Sequence, residues 1–380
     1  MEARPQTHSN VKTGSQPASL EWTQLFLLFA LLFAALMFLH APLLRLPYFW
    51  DEAGYYIPVA RDLYLTGSSI PQSTLSNAHP PLVMAWLALA WRVFGYSTLV
   101  THTAMLALAA FSLLGLFRLA RAAANAQVAG AVTALTAIYP VFFVQSSLGQ
   151  VDLPAAGFTF WALAAYLEDR PWKQALWFSL AALAKETAII APAALFAWQV
   201  IAGVVRPRWK EFAPPESRRT SALHLLIPVI PLLGWFGFHH AKTSFALGNP
   251  DFVRYNLSAT LNALRIPIAF VMRLWQTFGY FGLYLLSLAA LLAMLRRPQT
   301  ENGFTRPRIA IWQQAALAVV LLAYLLFMSA VGGAVLARYL LPVTPLVILV
   351  SVATLWRRAR YWKLIVFAVA IATANTISFQ

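Results

Sequence analysis

The sequence predicts an all-α polytopic membrane protein, and three observations lead to this prediction. Hydrophobic residues make up 60% of the chain and charged residues only 11%, which excludes an ordinary soluble domain of this length. Apolar runs of membrane-spanning length recur, separated by short polar or basic segments. Cysteine is absent and the histidines have no metal-ligand spacing, which argues against a disulfide framework, thiolate chemistry and a metal site.

The chain begins with a polar stretch, residues 1–21, whose composition predicts a disordered cytoplasmic tail. An apolar run from Trp22 to Leu44 follows. It is too long for a signal-peptide core and has no small-residue cleavage site, so we expect an uncleaved first span. The net charge of +15 is typical of orientation signals and of contact with anionic lipid. No basic and aromatic surface points to nucleic acid as a partner.

The first outer loop, residues 45–97, carries two adjacent carboxylates, Asp51 and Glu52, followed by Tyr55 and Tyr56. The chain has only 13 acidic residues, and a carboxylate at a membrane edge must be partly desolvated, so such a pair usually has a function. The alternative is an aromatic belt at the membrane interface beside two solvated acids.

Two short helices are expected in this loop, over residues 53–65 and 80–95. The second begins at a proline pair and would be about 24 Å long, shorter than the roughly 30 Å hydrocarbon core. If it lies along the surface, the basic loops fall on the side of the N-terminal tail, whereas most of them change sides if it spans. We therefore expect a juxtamembrane helix.

This orientation gives about eleven transmembrane helices, with the N-terminus cytoplasmic and the C-terminus outside. The spans are expected at 22–44, 98–117, 127–146, 150–167, 172–184, 187–205, 221–240, 274–295, 309–330, 338–356 and 361–378. We expect residues 22–380 to form a single transmembrane domain, with outer loops at 45–97 and 241–273 and no soluble C-terminal domain.

The outer loop 241–273 has a basic excess that opposes the orientation rule. This suggests an anionic partner, with Arg254 among the candidates to bind it. The alternative is a set of arginines that snorkel to the interface from span ends. Apolar residues at helical spacing over 256–272 predict a helix that lies on the membrane.

Three more sites on the outer side carry costly charges. Lys185 and Glu186 follow a segment, 172–184, that is only about 20 Å long as a helix, so this dipeptide should lie below the membrane surface. A local ion pair is the alternative. Asp152 lies at the start of a span. It could cap the helix, face a cavity, or do both. Arg338, at the outer start of a late span, either snorkels or holds a phosphate.

Five short motifs in chain order carry a resemblance to a known family. They are Trp50-Asp51-Glu52, His79-Pro80-Pro81-Leu82, Asp152, Leu183-Ala184-Lys185-Glu186-Thr187 and Arg338-Tyr339-Leu340-Leu341-Pro342. Together, across roughly residues 22–356, they resemble the polyprenyl-phosphate-sugar-dependent glycosyltransferases of the GT-C fold. The protein O-mannosyltransferase and lipid A aminoarabinose transferase group is the most similar.

The resemblance implies an enzyme that transfers a monosaccharide, with inversion, from a polyprenyl-phosphate donor to an acceptor hydroxyl or phosphate. The acceptor stays open between a protein, lipid A and another glycolipid. We expect an integral protein of the bacterial inner (plasma) membrane, in contact with membrane lipid, with its active site on the periplasmic or extracellular face. No cofactor is indicated. No Asp-x-Asp metal motif is present, so we expect metal-free transfer and leave a divalent metal as the alternative.

The resemblance also implies roles for individual residues. Asp51 matches the acid that acts on the acceptor nucleophile, Glu52 is its companion, and Asp152 is a second acid near the site. The candidates for binding the donor phosphate are Lys185, Arg338 and His79. The basic excess of the loop 241–273 adds Arg254 to them. Further pocket residues are Tyr55, Tyr56, Glu186 and Tyr339. A sugar phosphate already has a good leaving group, so the reaction needs one base and positive charge for the departing phosphate.

Two other functions compete with this one. A transporter or flippase of a lipid-linked sugar predicts paired repeats and polar positions inside several spans. Here no convincing repeat is present, the span interiors are apolar, and the costly charges gather on one side. A non-catalytic membrane subunit is the third reading, and it is supported only by the expected lack of an outer domain.

Overall fold

The structure is a computed structural model that describes residues 21–205, 211–215, 222–301 and 303–377. These residues form sixteen α-helices, which confirms the predicted all-α fold class. The helices are α1 (Trp22–His40), α2 (Ile57–Thr66), α3 (Leu82–Phe94), α4 (Thr98–Ala123), α5 (Ala126–Ile138), α6 (Pro140–Gln145), α7 (Asp152–Leu167), α8 (Pro171–Ala184), α9 (Ile190–Val205), α10 (Val229–Thr243), α11 (Pro250–Val253), α12 (Arg265–Phe278), α13 (Leu283–Met294), α14 (Ile311–Ala330), α15 (Thr344–Arg358) and α16 (Trp362–Asn375).

Six helical stretches are long and apolar enough to cross a membrane. They are Trp22–His40, Thr98–Ala123, Glu186–Val204, Leu223–Thr243, Arg265–Met294 and Ile311–Ala330. The prediction of an integral membrane protein is therefore confirmed. The number of eleven spans stays a prediction, because other apolar helices such as α5 and α16 are shorter. The expected tail lies outside the described residues except for Glu21, which precedes α1.

The two helices expected in the first outer loop are present. A π-helical turn, Glu52–Tyr56, continues directly into α2, and α3 covers the segment that follows the proline pair. Strand structure in the described residues is limited to a hairpin of β1 (Thr300–Glu301) and β2 (Phe304–Thr305), which are paired antiparallel.

The loop that follows α2 is held by Asp62. One carboxylate oxygen accepts the backbone N–H groups of Gln72 and Ser73, each at 2.7 Å, and the Ser73 hydroxyl at 2.8 Å. Burial opposes ionisation, but these three donors stabilise the carboxylate and hold the pKa of Asp62 below its ordinary value. A charged side chain therefore ties the loop to α2.

One predicted span is divided in the structure. The stretch 127–146 separates at Pro140 into α5 and α6. Proline lacks the backbone N–H that would continue the helix, and it disfavours helical geometry in the residue before it. Tyr139 accordingly has an extended ψ of 121°.

The boundary expected between a surface helix at 256–272 and a span at 274–295 is also displaced. Helix α12 runs through it, and the break falls at Tyr280–Gly282, where Phe281 has φ 47° and Gly282 has φ 85°. The late span starts later than predicted, because Arg338 lies in a 3₁₀ turn, Ala337–Leu340, before α15 begins.

Helices α4 and α7 cross closely, and small residues at the crossing set the distance between their backbones. A Cβ atom on Gly157 would lie 1.9 Å from Ser112 Oγ, and one on Gly115 would lie 2.6 Å from the Trp161 ring. Both positions therefore require glycine, and such small residues let helix backbones approach. Because Asp152 is the first residue of α7, this crossing also sets the position of its carboxylate.

Candidate active site

A cavity of about 530 Å³ lies at the end of the helical bundle where α7 begins and α8 ends. Its walls come from the first loop, the segment before α3, the connection from α10 to α12, and the 3₁₀ turn before α15. Most of the predicted site residues line it, namely Asp51, Tyr55, Tyr56, His79, Lys185, Glu186, Arg338 and Tyr339. The sequence-predicted cluster is thus brought together around one cavity.

One cavity wall is a chain of alternating charges. Arg338 donates a hydrogen bond from Nη2 to the Asp51 carboxylate, and its Nε lies 3.3 Å from Asp152 Oδ2, an ion pair that is not aligned as a hydrogen bond. The other Asp152 oxygen accepts a 2.5 Å hydrogen bond from Lys185 Nζ. The Asp152 side chain is 2% exposed and that of Asp51 37%. Of these two aspartates, Asp51 is therefore the one that opens to the cavity.

Local backbone structure presents the two cations to the wall. Helix α8 ends at Ala184, and the next residue, Lys185, has extended geometry (φ −152°), so its side chain leaves the helix toward Asp152. Its ammonium lies 4.3 Å from the centroid of the Tyr339 ring. Arg338 also donates from Nη1 to Gln150 Oε1 at 2.7 Å. Each cation is thus held by more than one neighbour.

Glu52 does not line the cavity, although it is adjacent to Asp51. Its side chain is completely buried and accepts the backbone N–H of Gly149 at 2.7 Å and that of Phe49 at 3.3 Å. The other neighbouring group is His102, whose Nε2 lies 3.4 Å from the carboxylate. Glu52 therefore anchors the first loop to the turn before α7, which places Asp51 beside Arg338.

His79 and Glu186 form a second polar group in the cavity. His79 Nδ1 lies 2.9 Å from Glu186 Oε2. The imidazole is surrounded by the rings of Tyr55, Tyr56 and Phe252, with centroids 5.8, 5.7 and 5.4 Å away. Burial raises the pKa of Tyr55 to about 12, so its phenol stays neutral, and it accepts the backbone N–H of Asn77. His79 is therefore paired with Glu186 inside an aromatic enclosure.

The structure does not bring Arg254 into this cluster. Its side chain is 77% exposed and pairs with Asp251 at 3.1 Å, one turn earlier. Its neighbours Val253 and Tyr255 line the cavity, but Arg254 does not.

Sequence reasoning did not select Gln150 or Arg273 as site residues. Gln150 donates no charge to the site but accepts a hydrogen bond from Arg338. Arg273, one of the arginines of the loop 241–273 for which the sequence leaves open an anionic partner or snorkelling, is completely buried beside Tyr339. No sequence signal separates these two states, because helical spacing alone does not show what covers a side chain. Within the described residues no group of three or more His, Asp or Glu side chains is placed to hold a metal ion.

Comparison with known proteins supports the motif-based resemblance. A family model described as dolichyl-phosphate-mannose-protein mannosyltransferase matches residues 78–235, a segment that contains His79, Asp152 and Lys185. No protein of curated function matches the chain by sequence.

Solved structures match more of the chain. The crystal structure of ArnT from Cupriavidus metallidurans bound to undecaprenyl phosphate has a TM-score of 0.64 and 18% identity, over 93% of this chain and 64% of that one. The archaeal oligosaccharyltransferase AglB from Archaeoglobus fulgidus, in complex with an inhibitory peptide and a dolichol-phosphate, has a TM-score of 0.57 and 14% identity, over 94% and 56%. The chain spans less than two thirds of either relative. These matches confirm the predicted GT-C fold.

Proposed function

We propose that this protein is an inverting glycosyltransferase that moves a monosaccharide from a polyprenyl-phosphate donor to an acceptor hydroxyl or phosphate at the outer membrane face. The observation that carries the proposal is the cavity wall in which the open carboxylate of Asp51 adjoins Arg338, with Lys185 in the same wall and Asp152 behind both cations. The undecaprenyl phosphate on ArnT and the dolichol-phosphate on AglB support a lipid phosphate as the ligand of this fold.

The two cations match what the departing group needs. As the bond between the sugar C1 and the phosphate oxygen breaks, negative charge collects on the polyprenyl phosphate, and Lys185 and Arg338 stabilise it. The cavity keeps this charge away from bulk water, where the same interactions would be weaker. Asp152 holds both cations in place from behind.

Asp51 takes the proton of the acceptor. In the structure its carboxylate accepts a hydrogen bond from Arg338. A donor phosphate offers Arg338 a second anionic partner, and Asp51 then becomes available to accept the acceptor O–H proton. The acceptor oxygen forms its bond to C1 on the face opposite the phosphate. This single displacement inverts the configuration at C1.

The remaining cavity residues contact the sugar and the lipid tail of the donor. His79, Glu186 and the two tyrosines offer hydrogen bonds and ring faces to the sugar. Apolar residues of the same cavity, such as Phe327 and Leu336, suit the first isoprene units. Arg254 enters the proposal only as a positive charge at the rim.

The proposal extends to the arrangement of the chain in the membrane. Residues 22–380 act as one transmembrane domain in the bacterial inner membrane, with the cavity facing the periplasm. The positive-inside bias of the basic loops supports this orientation. The acceptor class stays open between a protein, lipid A and another glycolipid.

Turnover by purified protein tests the proposal. The protein in lipid nanodiscs is supplied with undecaprenyl phosphates that carry different labelled sugars, together with a membrane extract as the source of acceptors. We expect labelled product with at least one donor. The substitution Asp51→Asn should lower turnover by about a hundredfold or more while undecaprenyl phosphate still binds.

Asp251→Asn is the matched control, because it also removes an aspartate that pairs with an arginine. Since this pair is exposed, turnover should change by less than about twofold. Retained turnover in Asp51→Asn would remove Asp51 from the mechanism. Movement of labelled lipid-linked sugar across vesicles without any transfer product would instead support the flippase.

A further inference from the structure

We propose that Arg273 supplies the net positive charge of the phosphate-binding wall, from a position behind Tyr339 that does not open to the cavity. This inference rests on the proposed function, because it concerns the phosphate of the same donor. It assigns Arg273 as a positioning residue that acts through its neighbours and through its electric field.

The Arg273 guanidinium is buried among neutral groups. Arg273 lies on α12, within a stretch long enough to cross a membrane, and its side chain is completely buried. It donates to the Leu336 carbonyl at 2.6 Å, to Gln276 Oε1 at 2.9 Å and to the Met328 carbonyl at 3.3 Å. Its Nη2 has no hydrogen-bond partner among the described residues. A buried cation held only by neutral groups is costly, so it indicates a task.

No carboxylate of the described part of the chain forms an ion pair with Arg273. Its charge is therefore not cancelled where it lies. An uncancelled charge in a site of low dielectric acts over a longer range than one in water.

The Tyr339 ring connects Arg273 to the cavity. Three cations surround this ring, with the charged group of Lys185 4.3 Å, that of Arg273 5.5 Å and that of Arg338 5.6 Å from its centroid. Among the described residues, Asp51 and Asp152 are the carboxylates that form ion pairs with these three cations, while Glu186, which also lines the cavity, pairs with His79. Around the Tyr339 ring there is thus one more cation than carboxylate, and a phosphate ester in the cavity supplies a further anion.

Arg273 also holds the loop that precedes Arg338, and this structural role must be distinguished from the effect of its charge. Arg273 and Gln276 bind carbonyls at both ends of the loop between α14 and the turn that carries Arg338. Arg265, two turns earlier on α12, binds carbonyls of Ser329, Gly332 and Gly333 in the same loop. Arg265 makes no ring contact with Tyr339, so it shares the loop contacts of Arg273 but not its place behind the ring.

The test compares lipid binding by the full chain in nanodiscs of neutral lipid. Dissociation constants are measured for undecaprenyl phosphate and for uncharged undecaprenol, with inorganic phosphate as a competitor. Arg273→Gln removes the charge but keeps side-chain donors, Arg273→Lys keeps the charge, and Arg265→Gln is the control. We expect Arg273→Gln to weaken undecaprenyl phosphate binding on the order of tenfold, with undecaprenol unaffected. Arg273→Lys and Arg265→Gln should stay within about threefold of the unsubstituted protein.

The inference is overturned if Arg273→Gln and Arg265→Gln weaken binding equally, or if undecaprenol binding falls in parallel with that of the phosphate. Thermal unfolding of each variant shows whether it is folded. If Arg273→Gln is not folded, Arg273→Lys decides the matter, because a loss on the order of tenfold despite the retained charge contradicts a charge effect. If the unsubstituted protein binds no undecaprenyl phosphate, the glycosyltransferase proposal itself fails. Unaltered binding by a folded Arg273→Gln variant removes only the role of Arg273.

Discussion

The two ends of the helical bundle hold their charged side chains in different ways. At the cavity end, Arg338 and Lys185 face carboxylates inside the protein, and the Asp152 side chain between them is 2% exposed. At the opposite end, Arg306 and Arg358 donate to carbonyls in the last turns of helices, at Trp356 and Met294 respectively. Those carbonyls lack partners within their own helices, so arginine satisfies an ordinary structural need there.

This difference distinguishes charges that cap helices from charges that serve a binding site. Helix ends need donors or cations, but they do not need buried carboxylates. A buried ion pair is weak evidence for stability, because removing charges from water offsets much of their attraction. The proposed ligand explains why four charges alternate at one end, three of them largely buried and the fourth, Asp51, open to the cavity.

Asp152→Asn should have the largest effect on stability. It removes the carboxylate shared by Lys185 and Arg338, so two buried cations lose their common partner. We expect the free energy of unfolding to fall by about 3–5 kcal/mol. Denaturant unfolding in detergent micelles measures it. Glu168→Gln, which breaks a partly exposed group of ion pairs at the opposite end, should cost clearly less, on the order of 1 kcal/mol. Equal losses would contradict the distinction between the two ends.

Glu52→Gln should have an intermediate effect. The amide still accepts the Gly149 N–H, but the charge that faces His102 is lost in a completely buried place. We expect a loss of about 1–3 kcal/mol in stability, and a lower kcat because the position of Asp51 depends on this anchor. Glu301→Gln, in the exposed hairpin at the other end, serves as the control. A lost kcat at unchanged stability would instead make Glu52 a participant in the chemistry.

Acid should release the loop that Asp62 holds. Because its folded pKa is lowered, the stabilisation from Asp62 is fully present above the ordinary aspartate pKa, about 3.9, and is lost as pH falls through the folded value. We expect about 1 kcal/mol from this carboxylate. Limited proteolysis between α2 and α3, with a protease active in acid, should become faster as the pH falls to 3. In Asp62→Asn the cleavage should already be fast at pH 7 and should not change with pH. A parallel pH profile in the variant would assign the opening to another group.

Arg306→Ala, at the end opposite the cavity, should have the smallest effect. Arg306 binds the Trp356 carbonyl and the exposed carboxylate of Glu301. Loss of this cap and surface pair should cost less than about 1 kcal/mol and leave transfer activity unchanged. Activity assays and thermal unfolding check both statements. A lost activity here would extend the functional region beyond the cavity.

The sequence predicted the fold class and the members of the charge chain for one physical reason. In so apolar a chain, scarce carboxylates and cations at the ends of spans are costly enough to be informative, and Asp51, Asp152, Lys185 and Arg338 stand out individually. Their neighbours do not. Glu52 looks equivalent to Asp51 in sequence, yet one residue along a helical turn points it into the protein.

Other features were beyond sequence reasoning because they depend on packing. In sequence, Arg273 is an arginine within an apolar helix and looks like one that snorkels to the membrane surface. Its burial depends on α14 and the loop after it, which pack over the side chain. The break between α12 and α13 depends on a left-handed Phe281, a conformation that a phenylalanine adopts only under tertiary constraint. The break at Pro140 was readable from proline chemistry, although the predicted span ran through it.

The hydrogen bond between Asp51 and Arg338 joins residues 287 positions apart in the chain. During synthesis the N-terminal part enters the membrane first, so both aspartates are in place long before Arg338 leaves the ribosome. Until Arg338 is synthesised, Lys185 is the one of these two cations available to the aspartates. The charged wall is therefore complete only when the turn before α15 packs against the first loop.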